Sequence, residues 1–306
     1  MAMKKLKNPW IKSEIEQKAR IYIDKYNGET NQKFSWILDG DKDAIRHDKA
    51  GDNINWGLPN QIIGNPKTAN VFLCLLKMPV RSNKLHRGFK EFVDNENNVA
   101  GDEYFTEKEL SKYYDHIVNT KENVLSQELR DLKEKNADPY FLTTNYLRLF
   151  TENDDVKKED FLEELKSDQF AADYFDDLKV CNLDLFPYRT NTRKNMILKK
   201  DKTFGDLESS RYVASLIIRR ILDFSISDEP AFIFRSYPDW SKVIMRTLSE
   251  MTGLTKEKDL IPKYNLLTDY FYEISLSQNG MITENNIHKV MKLGEYDNIK
   301  DLIWGK

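Results

Sequence analysis

Hydrophobic positions in this chain follow two rhythms. Val71–Leu76, Val180–Phe186 and Ala231–Phe234 are continuous or nearly continuous apolar runs bounded by turn-forming residues. Such runs predict strands buried on both faces, which belong to parallel sheets with helices on each side. Phe271–Leu276 predicts a fourth strand. Elsewhere the apolar residues recur at helical spacing. Ile11–Tyr26 predicts an amphipathic helix closed by Asn27-Gly28, and Tyr104–Asn136 predicts a helix with Thr106 and Glu109 at capping-box spacing followed by a second through Val124, Leu125, Leu129 and Leu132. Ser210–Phe224 predicts another, followed by one that Asp239 can cap and Gly253 close. A last helix is expected from near Thr283, carrying Ile287, Val290 and Met291. Trp36–Leu38 reads as a short strand, Leu58–Lys67 as an ordered approach loop, and Tyr140–Phe150 as core.

The predicted strands share an ending. Leu76 runs into Lys77, Phe186 into Pro187-Tyr188-Arg189, Phe234 into Arg235-Ser236-Tyr237, and the fourth into Ser277-Gln278-Asn279. Parallel strands joined by right-handed crossovers bring all four ends to one edge. Two basic loops follow the first two ends: Arg81, Lys84, His86 and Arg87 in one, Arg189, Arg193 and Lys194 in the other. A groove lined by cations, with Phe186, Tyr188 and Tyr237 among them, suits nucleic acid, because cations meet phosphates and rings stack bases. The competing reading makes the basic loops solubility surface and the aromatics rim packing.

Composition narrows this picture. The 306 residues carry a net charge of −3, which argues against a generic polycation but not against a local basic cleft. A hydrophobic content of 40% and a charged content of 32% are globular values. No linker or repeat separates the pieces, so one α/β domain is expected, with residues 1–57 as an N-terminal helical extension and 58–306 as the core. Cys74 and Cys181 sit inside apolar runs and read as reduced core thiols. Lacking a membrane-length apolar stretch or a signal-peptide core, the chain reads as cytoplasmic. The acidic stretch 152–177 reads as a solvated face. Neither metal-ligand spacing nor a Gly-rich phosphate loop is present, so no metal or cofactor is expected.

Read as a set, the strand ends resemble the uracil-DNA glycosylase superfamily, over roughly Leu58 to the C-terminus. The residues that carry the resemblance are Pro59, Ile63-Gly64-Asn65-Pro66 and Ala69-Asn70-Val71 before the first strand, and Phe186-Pro187-Tyr188 closing the second. Trp240 lies beyond the third, and Gln278-Asn279 with Asn286 come last. The resemblance implies a three-layer α/β/α sandwich around a four-stranded, mainly parallel sheet. It also implies a metal-free enzyme that flips a nucleotide out of DNA and cleaves the bond between base and deoxyribose; a monomer is expected, the sequence leaving the oligomeric state open.

Site residues transfer unevenly. Where the superfamily has a polar residue after the first strand, Leu76-Lys77-Met78-Pro79 places Met78. Asn182 matches the strand Asn that reads a base edge, and Asn279 and Ser277 occupy the region of a final motif that lacks its His here. Asp184, two residues beyond Asn182, projects from the same strand face and is the first candidate to stabilise charge or orient water. The alternative for Asp184 is a strand-end residue bonded to a loop amide or paired with Arg189. Lys77 is a candidate donor to a leaving base or a phosphate. The function expected is excision of a damaged or modified base, such as a bulky cytosine of phage DNA. The alternative is a silent module of the same fold that binds nucleic acid or a protein.

Overall fold

A computed structural model describes residues 3–46, 54–80, 86, 88–100, 109–135, 139–151, 155–167, 175–176, 178–192, 197–222, 229–274, 281–284 and 286–288. The strands, in chain order, are β1 (Ile62–Ile63), β2 (Val71–Lys77), β3 (Val118–Asn119), β4 (Val180–Phe186), β5 (Ala231–Phe234), β6 (Phe271–Ile274) and β7 (Ile287–His288). The helices are α1 (Lys12–Tyr26), α2 (Asp39–Lys42), α3 (Phe89–Ala100), α4 (Ser111–Ile117), α5 (Val124–Lys135), α6 (Leu147–Phe150), α7 (Lys158–Lys166), α8 (Glu208–Leu222), α9 (Tyr237–Thr252) and α10 (Glu257–Thr268). A π-helical turn, Phe141–Asn145, lies between α5 and α6.

All strands join one mostly parallel sheet of order β3-β1-β4-β2-β5-β6-β7. The four strands read from the sequence form its contiguous parallel block, β4-β2-β5-β6. The expected four-stranded sheet is thus extended to seven among the described residues. Each addition is two residues long, too short for hydrophobic periodicity to register. β1 pairs antiparallel with β4 and parallel with β3, and β7 pairs antiparallel with β6.

The apolar runs end up where two-sided burial requires. Phe72, Cys74, Cys181, Leu183, Phe232 and Phe234 face a core shared with α1, α3, α4, α8 and α9. Val71, Leu73, Leu75, Val180 and Ile233 face a second core built by α5, the π-helical turn, α6 and α7. Arg220, buried on α8, donates from Nε to the Ala69 carbonyl at 3.1 Å and from a guanidinium N–H to Asn70 Oδ1 at 3.2 Å, holding the approach to β2.

Several expectations are corrected. The segment from Thr283 forms β7 rather than a helix at Ile287–His288, because β6 offers it an edge. Within Tyr104–Asn136 the two expected helices are present as α4 and α5, but a strand that was not expected lies between them. The β-branched Val118 leaves the helix to pair with β1, which separates α4 from α5. Trp36–Leu38 forms no strand; Trp36 N donates to the Asn55 carbonyl at 2.8 Å and the segment leads into α2. Asp239 does not cap α9, which starts two residues earlier behind Ser236. α10 and the helix at Phe89–Ala100 were not anticipated. Thr106 lies outside the described residues.

Helix α8 starts at Glu208 because its cap comes from far away in sequence. Leu207 before it has no acceptor, and Asp41 of α2 supplies one instead. Asp41 Oδ1 accepts from Glu208 N at 2.6 Å and Ser209 N at 3.4 Å, and Oδ2 accepts from the Tyr188 hydroxyl at 2.7 Å and the Ser209 hydroxyl at 2.5 Å. The N-terminal extension is therefore bonded into the core rather than appended to it. Trp10 reinforces this, donating from its indole N–H to Gln61 Oε1.

Two stability predictions follow from this packing. Asp41→Ala strands the donors at the start of α8, each costing about 1–3 kcal/mol when buried and unmade, and should lower the urea midpoint sharply. Gly64 has φ +111°, and a Cβ there would meet the Val180 carbonyl oxygen at 2.5 Å and Cys181 Cα at 2.8 Å. Gly64→Ala should therefore cost at least about 1–3 kcal/mol by the same measurement, whereas Gly28→Ala, with φ +78° but open space around it, should cost less.

Candidate functional site

In open α/β sheets, ligands sit outside the carboxyl ends of the strands, where successive connections leave in opposite directions. Here β2 lies between β4 and β5, so the chain passes to one side of β2 and then to the other. The β2 and β5 ends, Lys77 and Phe234-Arg235, flank that point. Arg235 N donates to the Cys74 carbonyl at 2.9 Å, and Trp240 Nε1 donates to the Leu75 carbonyl at 3.1 Å, fixing the start of α9 on β2. Between them Ser236 has φ 64°, ψ 46° and is the one non-glycine residue with positive φ among those described. Left-handed backbone at a non-glycine residue is held by its surroundings at a cost of about 1–3 kcal/mol, and such strain concentrates at functional turns.

The loops after β2 and β4 are laced together. Lys77 Nζ donates to the Thr190 carbonyl, Thr190 N donates to the Met78 carbonyl at 3.2 Å, and Val80 N donates to Asn191 Oδ1 at 3.1 Å. Lys77 thus serves the loop. Met78 is half-buried beside it.

Behind this edge, β4 is buried along its whole length, and its two polar side chains share one face. Asn182 is 4% and Asp184 5% exposed, so neither meets open solvent. Among the described residues, both polar atoms of Asn182 and Oδ1 of Asp184 have no hydrogen-bond partner. Asn182 stands level with Leu73 of β2 and Ile63 of β1, and Asp184 level with Leu75, so apolar side chains surround both on that face. The layer over it contributes Asn145, at the end of the π-helical turn, and Tyr146. Both side-chain polar atoms of Asn145 and the Tyr146 hydroxyl are likewise buried without a protein partner. Glu128 of α5 holds that turn by accepting from Tyr140 N, Phe141 N and Leu142 N at 2.8–2.9 Å.

Burial pushes the Asp184 carboxyl up to about 8, although the Arg189 charge pulls the other way. At neutral pH it is mostly a neutral acid, able to donate and accept. Together Asn182 and Asp184 offer an amide and a carboxylic acid on one apolar-walled face, a set that matches the donor–acceptor edge of a heterocycle.

The remaining sequence candidates divide sharply. Tyr188 is fully buried, its hydroxyl donating to Asp41 and accepting from Leu38 N at 3.0 Å. Phe186 is buried against Phe204 and Tyr188. Neither ring offers a face for stacking, because the core needed both. Tyr237 packs on Phe234 and Phe271, and its hydroxyl meets that of Tyr264 at 3.0 Å. Arg189, 1% exposed, does not face a groove. Its guanidinium lies 3.5 Å from Glu96 Oε2 and 3.5 Å from His116 Nε2, and Nε donates to the Leu58 carbonyl at 3.0 Å. His86 is buried edge-on against Phe92 rather than exposed in a basic loop. Arg235 is half-exposed, with Nη1 donating to the Tyr140 hydroxyl at 2.8 Å. Asn286 is buried and donates to the Met281 carbonyl at 3.1 Å. Arg81, Lys84, Arg87, Arg193, Lys194, Ser277 and Asn279 lie outside the described residues.

Asn145, Tyr146, Glu128, Glu96 and Asp41 were not anticipated. A signal existed for the first two: Thr143-Thr144-Asn145 is a polar interruption inside an otherwise apolar segment.

No family model, curated protein or solved structure matches this chain. Among the described residues no group of three or more His, Cys, Asp and Glu side chains is placed to hold a metal ion, and no helix is long and apolar enough to cross a membrane.

The raised Asp184 value has a testable consequence. Between about pH 4 and pH 8 the folded protein holds a proton on Asp184 that the unfolded chain has released. The stability contributed by this group therefore falls as pH rises through that window. Asp184→Asn removes the dependence, so urea midpoints measured between about pH 5 and about pH 8 should show the variant gaining on the parent protein as pH rises.

Proposed function

We propose that this chain is a glycosylase that excises a modified base from DNA, with Asn182 reading the base edge and Asp184 supplying the acid. The observation that carries this reading is the pair itself. Two polar side chains with unspent hydrogen-bonding capacity share one face of a buried strand in the parallel block. The resemblance of the strand ends to the uracil-DNA glycosylase superfamily, and the four-stranded parallel block that it implied, add support.

In this mechanism the target nucleotide leaves the base stack, at a cost of about a few kcal/mol, and its base enters the layer over β4. The Asn182 amide pairs with an acceptor and a donor on the base edge. As the bond between C1′ and the base nitrogen breaks, its electron pair goes to the base, and the Asp184 proton follows it. The carboxylate left behind faces the cationic sugar and orients the water that adds to C1′, whose released proton restores the acid. Lys77 stays on Thr190 and takes no part in the transfer. A modified base rather than uracil is the expected substrate class, since Met78 stands where the superfamily has the polar residue of its turn.

A second reading is favoured by the deep burial of Asn182 and Asp184: the same fold as a silent module that binds nucleic acid or a protein. One experiment separates them. The protein is incubated with unmodified, uracil-containing and phage-modified DNA, and abasic sites are revealed by alkali. Excision from modified DNA is expected, reduced by about 10²-fold or more in Asn182→Ala and Asp184→Asn variants that retain the parent fold. Salt-sensitive DNA binding with no base released from any substrate would exclude the enzyme and leave the module.

A further inference from the structure

The N-terminal extension contains a cleft of about 550 Å³ that is separate from the β4 face and uses none of its residues. Lys18 and Lys25 of α1 form one wall, Lys33 and Phe34 a second, and Lys42 of α2 with Trp56 close it. Among the described residues no carboxylate lines it. We propose that this cleft binds a nucleoside mono- or diphosphate, its phosphates at the Lys25, Lys33 and Lys42 ammonium groups and its base against the half-exposed Trp56 ring.

Charge is the first support. Lys42 pairs with the exposed Asp39 at 2.5 Å, whereas Lys25 and Lys33 have no ion pair with any described residue. Among the described residues, four cations round one cleft with Asp39 and Glu14 near it leave a net positive potential, which a low-dielectric wall sharpens further. Burial, and then the charge of Lys42, hold the Lys18 ammonium down to about 8, against the opposing pull of Asp39 and Glu14. A bound anion would relieve that repulsion.

Rigidity is the second. The Lys18 ammonium donates to the carbonyls of Ser35, Trp36 and Ile37 at 3.2, 3.4 and 2.8 Å, pinning one wall of the cleft to α1. Lys25 Nζ donates to the Gln32 carbonyl at 3.0 Å and lies 5.4 Å from the Phe89 ring centre. Ser35 Oγ donates to Asn55 Oδ1 at 2.7 Å, tying the second wall to the segment that carries Trp56. These positions are set before any ligand arrives, which lowers the ordering cost of binding.

The rings decide the ligand class. Phe34 is locked edge-on to Tyr22 and Trp36, and Trp56 is held edge-on by Phe89 and Phe92 while staying half-exposed. A plain inorganic anion would leave the half-exposed Trp56 ring unused. Roughly 300–1,000 Å³ is the range of sites that take one small ligand, and this cleft falls inside it. A nucleic-acid strand would instead need a groove that follows several phosphates.

The test uses the full chain. ADP, GDP, CDP and UDP are titrated by calorimetry and by Trp fluorescence, beside pyrophosphate, adenosine and a short single-stranded oligonucleotide. At least one nucleotide is expected to bind and to weaken as salt rises, with pyrophosphate weaker and adenosine without measurable affinity. Lys25→Glu/Lys33→Glu should weaken the nucleotide by about tenfold or more, while Lys67→Glu, on an exposed turn away from the cleft, should not. Lys33 is exposed, so Lys33→Gln provides a gentler variant if the double reversal alters the melting curve. The assignment is overturned if no nucleotide binds, if binding is indifferent to Lys25 and Lys33, or if the oligonucleotide displaces the nucleotide with higher affinity. None of these outcomes depends on base excision, so failure here and failure of the glycosylase reading are distinguishable.

Discussion

Burial of β2 and β4 on both faces is the constraint on which the rest of the structure depends. Two adjacent parallel strands with no solvent-facing side must satisfy their backbone groups entirely through neighbouring strands. β5 pairs on one side of β2, and β1 closes the outer side of β4. Their side chains must meet apolar partners above and below, and two hydrophobic cores supply them. In such an environment nearly every position is apolar by necessity. Asn182 and Asp184 are the exceptions on β4, and that is why they stand out chemically as well as visually in the sequence.

The same constraint reassigns the aromatic and basic residues near the strand ends. A strand edge crowded by α8, α9 and the N-terminal extension has little room for free side chains. Tyr188 is drawn under Asp41, Phe186 under Phe204, and Arg189 into a buried pair with Glu96. A buried guanidinium and carboxylate contribute little net stability but are costly to separate, because removing one leaves the other uncompensated. Arg189 therefore ties α3, α4 and the approach to β1 to the end of β4, and it lowers the cost of any charge on Asp184.

The N-terminal extension has a double character. Asp41 and Trp10 weld it to α8 and to the start of β1. The face it turns outward gathers Lys18, Lys25, Lys33 and Lys42 around two rings. Covering the sheet and presenting that cleft use adjacent sides of α1: Ile15, Ala19, Tyr22 and Ile23 go inward, while Lys18, Ile21 and Lys25 line the cleft.

Hydrophobic rhythm alone determined the four long strands, their parallel arrangement, and the helices at α1, α8 and α9, because continuous apolar runs and 3.6-residue stripes have few compact solutions. Asn182 was picked out by the resemblance of the strand ends, and Asp184 by lying two residues beyond it on the same strand face. Pairings of two residues, such as β1, β3 and β7, were invisible, as they depend on an available edge rather than on local pattern. A cap donated across the fold by Asp41 has no local signature either. Whether Tyr188, Arg189 and His86 face solvent or core was settled by packing, because a side chain at a strand end can turn either way until its neighbours are in place. The four-lysine cleft is the clearest case: its members are scattered from Lys18 to Lys42 with no common spacing, and only folding brings their charges together.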